Sequence, residues 1–323
     1  MDCCDPTTET AVGAEIAAEA KRALRSPAPA RVSALRLHGI GVLSGAGIRH
    51  AEVDTELLIG HVLGLSRGQV QAKIVTDAGL DRQQYLAVVE LLERRAAREP
   101  LQHITGRAPF RSLELAVGPG VFVPRPETES VAQIAIDALL AVPSPSPRGI
   151  DLGTGSGAIA IAMATEVPHA RVFAVENSPR AYLWARQNAR ELAGDNLRLI
   201  FADLADTPSS LDGAEGESEQ LDGTLDVVVS NPPYIPLGAI PRDPEVRLHD
   251  PEAALYGGPD GLDVVRAVSA RAARLLHPGG VLIIEHGELQ GAELRALLSA
   301  DGWRAAATHR DLLGRDRTTT ALL

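Results

Sequence analysis

The chain has 323 residues, 45% of them hydrophobic and 23% charged, with a net charge of −11. That length and balance suit two compact globular domains, and the acidic total argues against a free-standing nucleic-acid binder. The two cysteines, Cys3 and Cys4, are adjacent near the start and offer neither a metal-ligand spacing nor a disulfide framework.

Residues 1–28 begin without the basic and apolar segments of a signal peptide, and they end in Ser26-Pro-Ala-Pro29. A flexible extension is expected there. No run of 18 apolar residues suggests a membrane span, so a soluble cytoplasmic protein is expected. Residues 29–105 then carry apolar positions at helical spacing, among them Val32, Leu35, Leu57, Leu58, Val62, Val89 and Leu92, which predicts a small helical domain. His61 reads as an ordinary helix histidine. The arginines between 94 and 111 read as a solvated face.

Residues 106–124 alternate around Gly118-Pro-Gly120 and predict a β-hairpin linker. A helix is expected from Pro126, with Glu127 and Glu129 in its first turn favoured by the helix dipole. Arg125, Glu127 and Glu129 also suit the mouth of a site, the structural role being preferred. Val142-Pro-Ser-Pro-Ser-Pro147 is a stiff link into an α/β domain spanning 125–323.

That domain carries the chemistry. Gly149-Ile-Asp-Leu-Gly153-Thr154-Gly155-Ser156-Gly157 reads as a strand running into a glycine-rich turn that lets a ligand approach the backbone. Its spacing is neither the dinucleotide fingerprint nor a phosphate loop, and alone such a turn is also a purely structural one. The next strand, Arg171-Val-Phe-Ala-Val-Glu176, places Glu176 about 20 residues further on, where an acidic side chain accepts from a ribose diol. A solvated strand-end carboxylate or a cap partner for a helix starting at Ser178-Pro179 is the plainer alternative. A third strand, Leu197–Ala202, leads to Asp203 and Leu204, suited to an adenine amine and ring face. Thr207–Gly223 is expected to be a flexible surface loop.

The fourth strand, Leu225–Ser230, ends in Asn231-Pro232-Pro233-Tyr234. The prolines fix φ and remove donors, so the carbonyls stay available beside an aromatic face. Such a set suits a planar NH2 group held by both its N–H bonds. Alone, the tetrad is equally a proline-rich turn closing a strand. Val281–Ile284 predicts a fifth strand, and segments near Trp303–Thr308 and Thr318–Leu323 complete the sheet.

This ordered set resembles the class I S-adenosylmethionine-dependent methyltransferases, and the tetrad resembles that of their amino-group branch. Pro124-Arg-Pro-Glu-Thr-Glu129, Asp250-Pro-Glu-Ala-Ala-Leu255 and Glu285-His-Gly287 extend the resemblance, over roughly residues 30–323, to the protein-(glutamine-N5) methyltransferases of peptide-chain release factors. The resemblance implies an α/β, Rossmann-like seven-stranded domain and S-adenosyl-L-methionine as cofactor. It implies Gly153, Thr154, Gly155, Ser156, Gly157, Glu176, Asp203, Leu204 and Asn231 as cofactor contacts. It implies Asn231, Pro232 and Tyr234 as catalytic, with Pro233 also at the substrate, no metal, and a helical domain that helps hold the substrate.

The implied substrates are class 1 release factors, methylated at Gly-Gly-Gln, with no direct nucleic-acid or membrane partner and a monomeric enzyme. Alternatives are a glutamine of a ribosomal protein, an exocyclic amine of adenine, or a cofactor-binding module without catalysis. Two departures stand out: Glu176 where the family commonly has Asp, and Leu204 where some members have an aromatic.

Overall fold

A computed structural model describes residues 30–212 and 218–323, so the expected flexible extension lies outside the described residues. The chain divides into two compact units after Thr105.

In the first unit, helices α1 (Val32–Gly45), α2 (Ala51–Leu63), α3 (Arg67–Val75), α4 (Arg82–Ala96) and α5 (Leu101–Thr105) surround a core of Leu35, Leu43, Leu58, Ile59, Val88 and Leu92. Two capping boxes fix the helix starts, Ser66 with Gln69 and Asp81 with Gln84. Glu56 is buried yet charged. Burial opposes its ionisation, but bonds from Arg36 (2.8 Å), Arg67 (2.7 Å) and Gln71 (3.1 Å) outweigh it and lower its pKa. His61 is exposed on α2. The arginine strip is not a free face: Arg94 chelates Glu99, Arg95 bonds Asp54 at 2.8 Å, and Arg98 donates to the Gly47 carbonyl.

The second unit opens with a hairpin, Arg107–Phe110 against Leu113–Ala116. Its turn is at Arg111-Ser112 rather than at Gly118–Gly120. Arg111 adopts φ 53°, held by the Glu129 carboxylate on its amide (3.0 Å) and by Glu166 on its guanidinium (2.5 and 2.7 Å). Gly118 and Gly120 instead leave room for Trp184 and Arg180, which an added Cβ would strike.

The sheet follows, with strands β1 (Arg148–Leu152), β2 (Arg171–Glu176), β3 (Leu197–Phe201), β4 (Leu225–Ser230), β5 (Leu276–Glu285), β6 (Arg304–Arg310) and β7 (Asp316–Leu322). Their spatial order is 3-2-1-4-5-7-6, and β7 is antiparallel to both its neighbours. This is the class I methyltransferase fold. Helices α6 (Thr128–Ala141), α7 (Ala158–Glu166) and α8 (Pro179–Leu192) cover one face. After the short α9 (Pro244–His249), α10 (Asp263–Leu275) and α11 (Gly291–Ala300) cover the other. The strands serve both layers by alternation: Val172, Ala174, Val227 and Val229 pack with α6 and α7, whereas Phe173, Val175 and Val228 pack with α10 and α11. Chain order reverses between β1 and β4, opening a crevice at the carboxyl edge.

The segment 207–223 is more than a loop. Ser210–Asp212 pairs with Ser218–Gln220, Leu211 and Leu221 are buried, and Glu219 sits among Arg148, Arg171 and Arg198 at the amino edge of the sheet. Among the described residues no helix is long and apolar enough to cross a membrane, and no cluster is placed to hold a metal ion.

Two buried polar side chains brace the crevice. Asn188 of α8 accepts from the Ala116 amide (2.7 Å) and donates to the carbonyls of Ala116 and Ser156 (both 2.9 Å). Asn188→Ala strands these groups and should lower unfolding free energy by about 3 kcal/mol, read by urea denaturation. Asp151 of β1 is fully buried, and burial lifts its pKa to about 7 against the Thr154 hydrogen bond. Because the folded-state pKa is raised, its contribution to stability is complete below about pH 4 and is lost as pH rises through 7. Urea midpoints for Asp151→Asn, relative to wild type, should therefore be higher at pH 8 than at pH 5.

Candidate active site

The glycine turn leaves β1 through three left-handed residues, Gly153 (φ 77°), Gly155 (φ 60°) and Gly157 (φ 88°). Side chains rarely adopt this conformation. A Cβ on Gly153 or Gly155 would meet nothing within 4 Å, so backbone angle demands glycine there and the turn stays open to a ligand. Gly157 differs: it starts α7, its Cβ would press on Ile161, and it does not reach the crevice. The amides of Gly153 and Thr154 both donate to the Val175 carbonyl at 2.9 Å, and the Thr154 hydroxyl donates to Asp151 at 2.6 Å.

Glu176 closes β2 and is only 7% exposed. One carboxylate oxygen accepts from Gly155 N and the other from Ser178 N, both at 2.8 Å. Burial raises its pKa, and these amides pull against that rise. Glu176 is thus not a solvated strand-end carboxylate; of the plainer readings only the helix-start partner holds, since it accepts from Ser178 N while also bracing the turn. Each oxygen keeps a second lone pair for a ligand. Asn177 carries the brace to β3 by donating to Asp203 (2.9 Å), whose other oxygen accepts from Ala205 N (2.9 Å). Leu204 follows, half-buried.

Across the switch point, Ser230 donates to the Leu152 carbonyl at 2.6 Å and so fixes the end of β4 against β1. Asn231 Nδ2 donates to Thr128 Oγ1 at 3.4 Å. The outgoing chain is laced to residues 255–261: Ile235 N donates to Leu255 O, and Gly257 N returns to Ile235 O, both at 2.9 Å. Cβ atoms added to Gly257 and Gly261 would strike the carbonyl oxygens of Pro233 and Tyr234. Gln290 donates to the Tyr234 carbonyl (3.0 Å) and accepts from Gly287 N (2.9 Å).

With the exception of Gly157, every residue singled out above as a cofactor or substrate contact lines one cavity of about 840 Å³. Arg125 and Glu127 line it as well, a role the sequence reading set second, whereas Glu129 serves the hairpin turn. Arg125 lies 4.9 Å over the Phe122 ring and donates to Asp250 at 2.6 Å. Burial pushes Asp250 up to about 6, with Arg125 opposing. Thr128, Gln290 and the glycines at 257 and 261 carry no local pattern that marks them. Thr128, Asp250, Leu255 and Gly287 do fall inside runs quoted above.

The wall offers carboxylates, fixed carbonyls and two aromatic rings, Phe122 and Tyr234. It can grip a diol, an adenine edge and a planar amine. Residues 34–106 match the family model described as the PrmC N-terminal domain, and residues 144–310 match a methyltransferase domain. The release factor glutamine methyltransferase of Streptomyces coelicolor is 48% identical, over 86% of this chain and 93% of its own. That of Bifidobacterium longum is 46% identical, over 85% and 94%. A Streptomyces pristinaespiralis protein named 4-amino-L-phenylalanine/4-methylamino-L-phenylalanine methyltransferase is 39% identical, over 83% and 87%. Matched in both of its units and across most of its relatives' length, the chain belongs to the family of release factor glutamine methyltransferases.

Proposed function

We propose that this chain transfers a methyl group from S-adenosyl-L-methionine to the side-chain amide nitrogen of the glutamine in the Gly-Gly-Gln motif of class 1 peptide-chain release factors. The observation that carries this reading is the presence of Asn231-Pro-Pro-Tyr234 on the wall of the cavity onto which the glycine turn and Glu176 also open. The cavity fits the cofactor. Glu176 has lone pairs for a ribose diol, Asp203 and Leu204 suit an adenine edge and face, and Asp151 and Glu176 favour a cation nearby. Bound there, the cofactor supplies an electrophilic methyl group on a sulfonium.

The protein's part is placement. A glutamine amide nitrogen is a poor nucleophile because its lone pair is delocalised into the carbonyl. In this reading Asn231 Oδ1 and the Pro232 carbonyl accept the two amide hydrogens and hold the nitrogen on line, and orientation of this kind contributes up to about 7–11 kcal/mol. Their dipoles also meet the positive charge that grows on nitrogen during transfer. The Tyr234 ring packs on the flat amide. Its phenol, raised well above its usual pKa by burial and by Glu285, stays protonated and serves as no base. Residues 106–323 hold the whole cavity, so a monomer suffices, and such substrates imply action in the cytoplasm.

A free aryl amine is the rival substrate, because a relative at 39% identity is named for one and the tetrad suits any planar NH2. Labelled S-adenosylmethionine should mark a purified release factor and not its variant lacking the Gly-Gly-Gln glutamine. Label on 4-aminophenylalanine alone would overturn the assignment, and label on neither would redirect it to ribosomal proteins or adenine. Asn231→Ala should lower kcat by about 10²–10³-fold, the scale of losing one transition-state hydrogen bond, while cofactor affinity by calorimetry stays within about threefold. Glu176→Ala should do the reverse, weakening the cofactor about tenfold or more through loss of a charge-assisted bond.

A further inference from the structure

A glutamine carried by a protein reaches a catalytic crevice only if the surface around the mouth accepts the rest of that protein. The register of the sheet shows which loops stand there. Glu285, the last residue of β5, pairs with Thr318 of β7, and His286 N donates to the Arg317 carbonyl at 2.9 Å. Arg310, the last residue of β6, pairs with Asp316. The turn after β5 (287–290) and the β6–β7 turn (311–315) are therefore neighbours at the carboxyl edge, where the crevice opens. Glu288 of the first turn and Arg315 of the second line the cavity itself.

These two turns hold three leucines out in solvent: Leu289 is 88% exposed, Leu312 96% and Leu313 77%. Both turns are tied down. The carboxylate of buried Asp311 accepts from Leu313 N (2.9 Å), Arg315 N (3.0 Å) and Arg315 Nε (2.7 Å), and Asp311 N donates to the Arg315 carbonyl (2.8 Å). In the earlier turn Gly287 N donates to the Gln290 side chain and Gln290 N to the Gly287 carbonyl, both at 2.9 Å. Fixed turns that keep apolar side chains in water form a ready contact surface, because little conformational freedom is left to lose when a partner covers it.

None of the three leucines lines the cavity. A cofactor or a free amino acid inside it leaves them wet, whereas a protein delivering one side chain to Asn231 lies across the mouth. Leucines offer a phosphate backbone nothing, so a nucleic acid does not fit this surface. From this placement we infer that Leu289, Leu312 and Leu313 form a docking surface for an apolar patch of the class 1 release factor beside its Gly-Gly-Gln loop. The inference rests on the function proposed above and adds where the substrate protein is held.

The test uses the full chain and a purified class 1 release factor, with methyl transfer and calorimetric binding measured side by side. Leu312→Ser combined with Leu313→Ser should raise both KM and Kd for the release factor about 10- to 100-fold, the scale of losing interface anchors. The kcat at saturation and the cofactor affinity should stay within about twofold. Leu312→Met with Leu313→Met keeps the surface apolar and should bind within about threefold of wild type. Leu140→Ser is the control: Leu140 is 55% exposed where α6 runs toward the start of β1, and its loss should change nothing. If the serine pair fails to fold by its melting curve, Leu289→Ser carries the test, with a loss of about fivefold or more. Release-factor affinity within about twofold of wild type in the serine variants, a loss confined to kcat, or an equal loss in Leu140→Ser would overturn the docking role. So would a wild-type dimer that the serine pair breaks in sedimentation while release-factor affinity holds, since the surface would then belong to a second copy. A wild-type enzyme that leaves the release factor unmethylated would overturn the proposed function as well, whereas normal wild-type methylation with unaffected variants overturns this inference alone.

Discussion

The carboxylate of Glu176 is the joint on which the crevice hangs. Its two oxygens take the amides of Gly155 and Ser178, so one side chain at the tip of β2 sets both the glycine turn after β1 and the first turn of α8. Asn177 extends the same brace to Asp203 beyond β3. Three strand ends are thereby held in register, and the two bonds to the buried Glu176 carboxylate are strengthened by their low-dielectric surroundings. Asp151 lies one strand away, buried with Thr154 as its partner, and each carboxylate raises the cost of charging its neighbour. The floor of the crevice is rigid and electrostatically stressed before any ligand arrives, which is the usual condition of a preorganised site.

Beyond the switch point the means are steric. Two prolines fix the chain after Asn231, and a loop with glycines at 257, 258 and 261 presses against the carbonyls behind it. Gln290, reaching from the start of α11, ties Tyr234 to the turn after β5. The tetrad thus gains its shape from residues 26 to 59 positions downstream of Asn231. A motif of four residues is only the visible part of a much longer arrangement.

Much of this was legible in the sequence because it is local. Strands β1, β2 and β4 are apolar runs closed by punctuation, and the glycine turn and the tetrad write their backbone angles in residue type. What stayed hidden depends on distant partners. The hairpin turn falls at Arg111, a residue with no turn preference, because Glu129 and Glu166 stabilise its left-handed backbone from 18 and 55 positions away. Gly118 and Gly120 looked like the turn but are spacers for Trp184 and Arg180. The acidic 207–223 segment looked like solvent-exposed chain, yet Glu219 is called in by three arginines from the starts of strands. The arginines after residue 93 looked free for the same reason, since the ends of their hydrogen bonds at Asp54 and Gly47 lie far back in the chain.

The glycines at 257 and 261 have a consequence for how such an enzyme changes during evolution. The back of the Asn231–Tyr234 tetrad is a mould already full, where even a methyl group displaces a backbone carbonyl. Drift in what the crevice accepts is therefore channelled to other parts of its lining, such as Phe122, Arg125 and the loop carrying Ile240 and Arg242. The sequence record of such a change would be a still tetrad beside a restless rim.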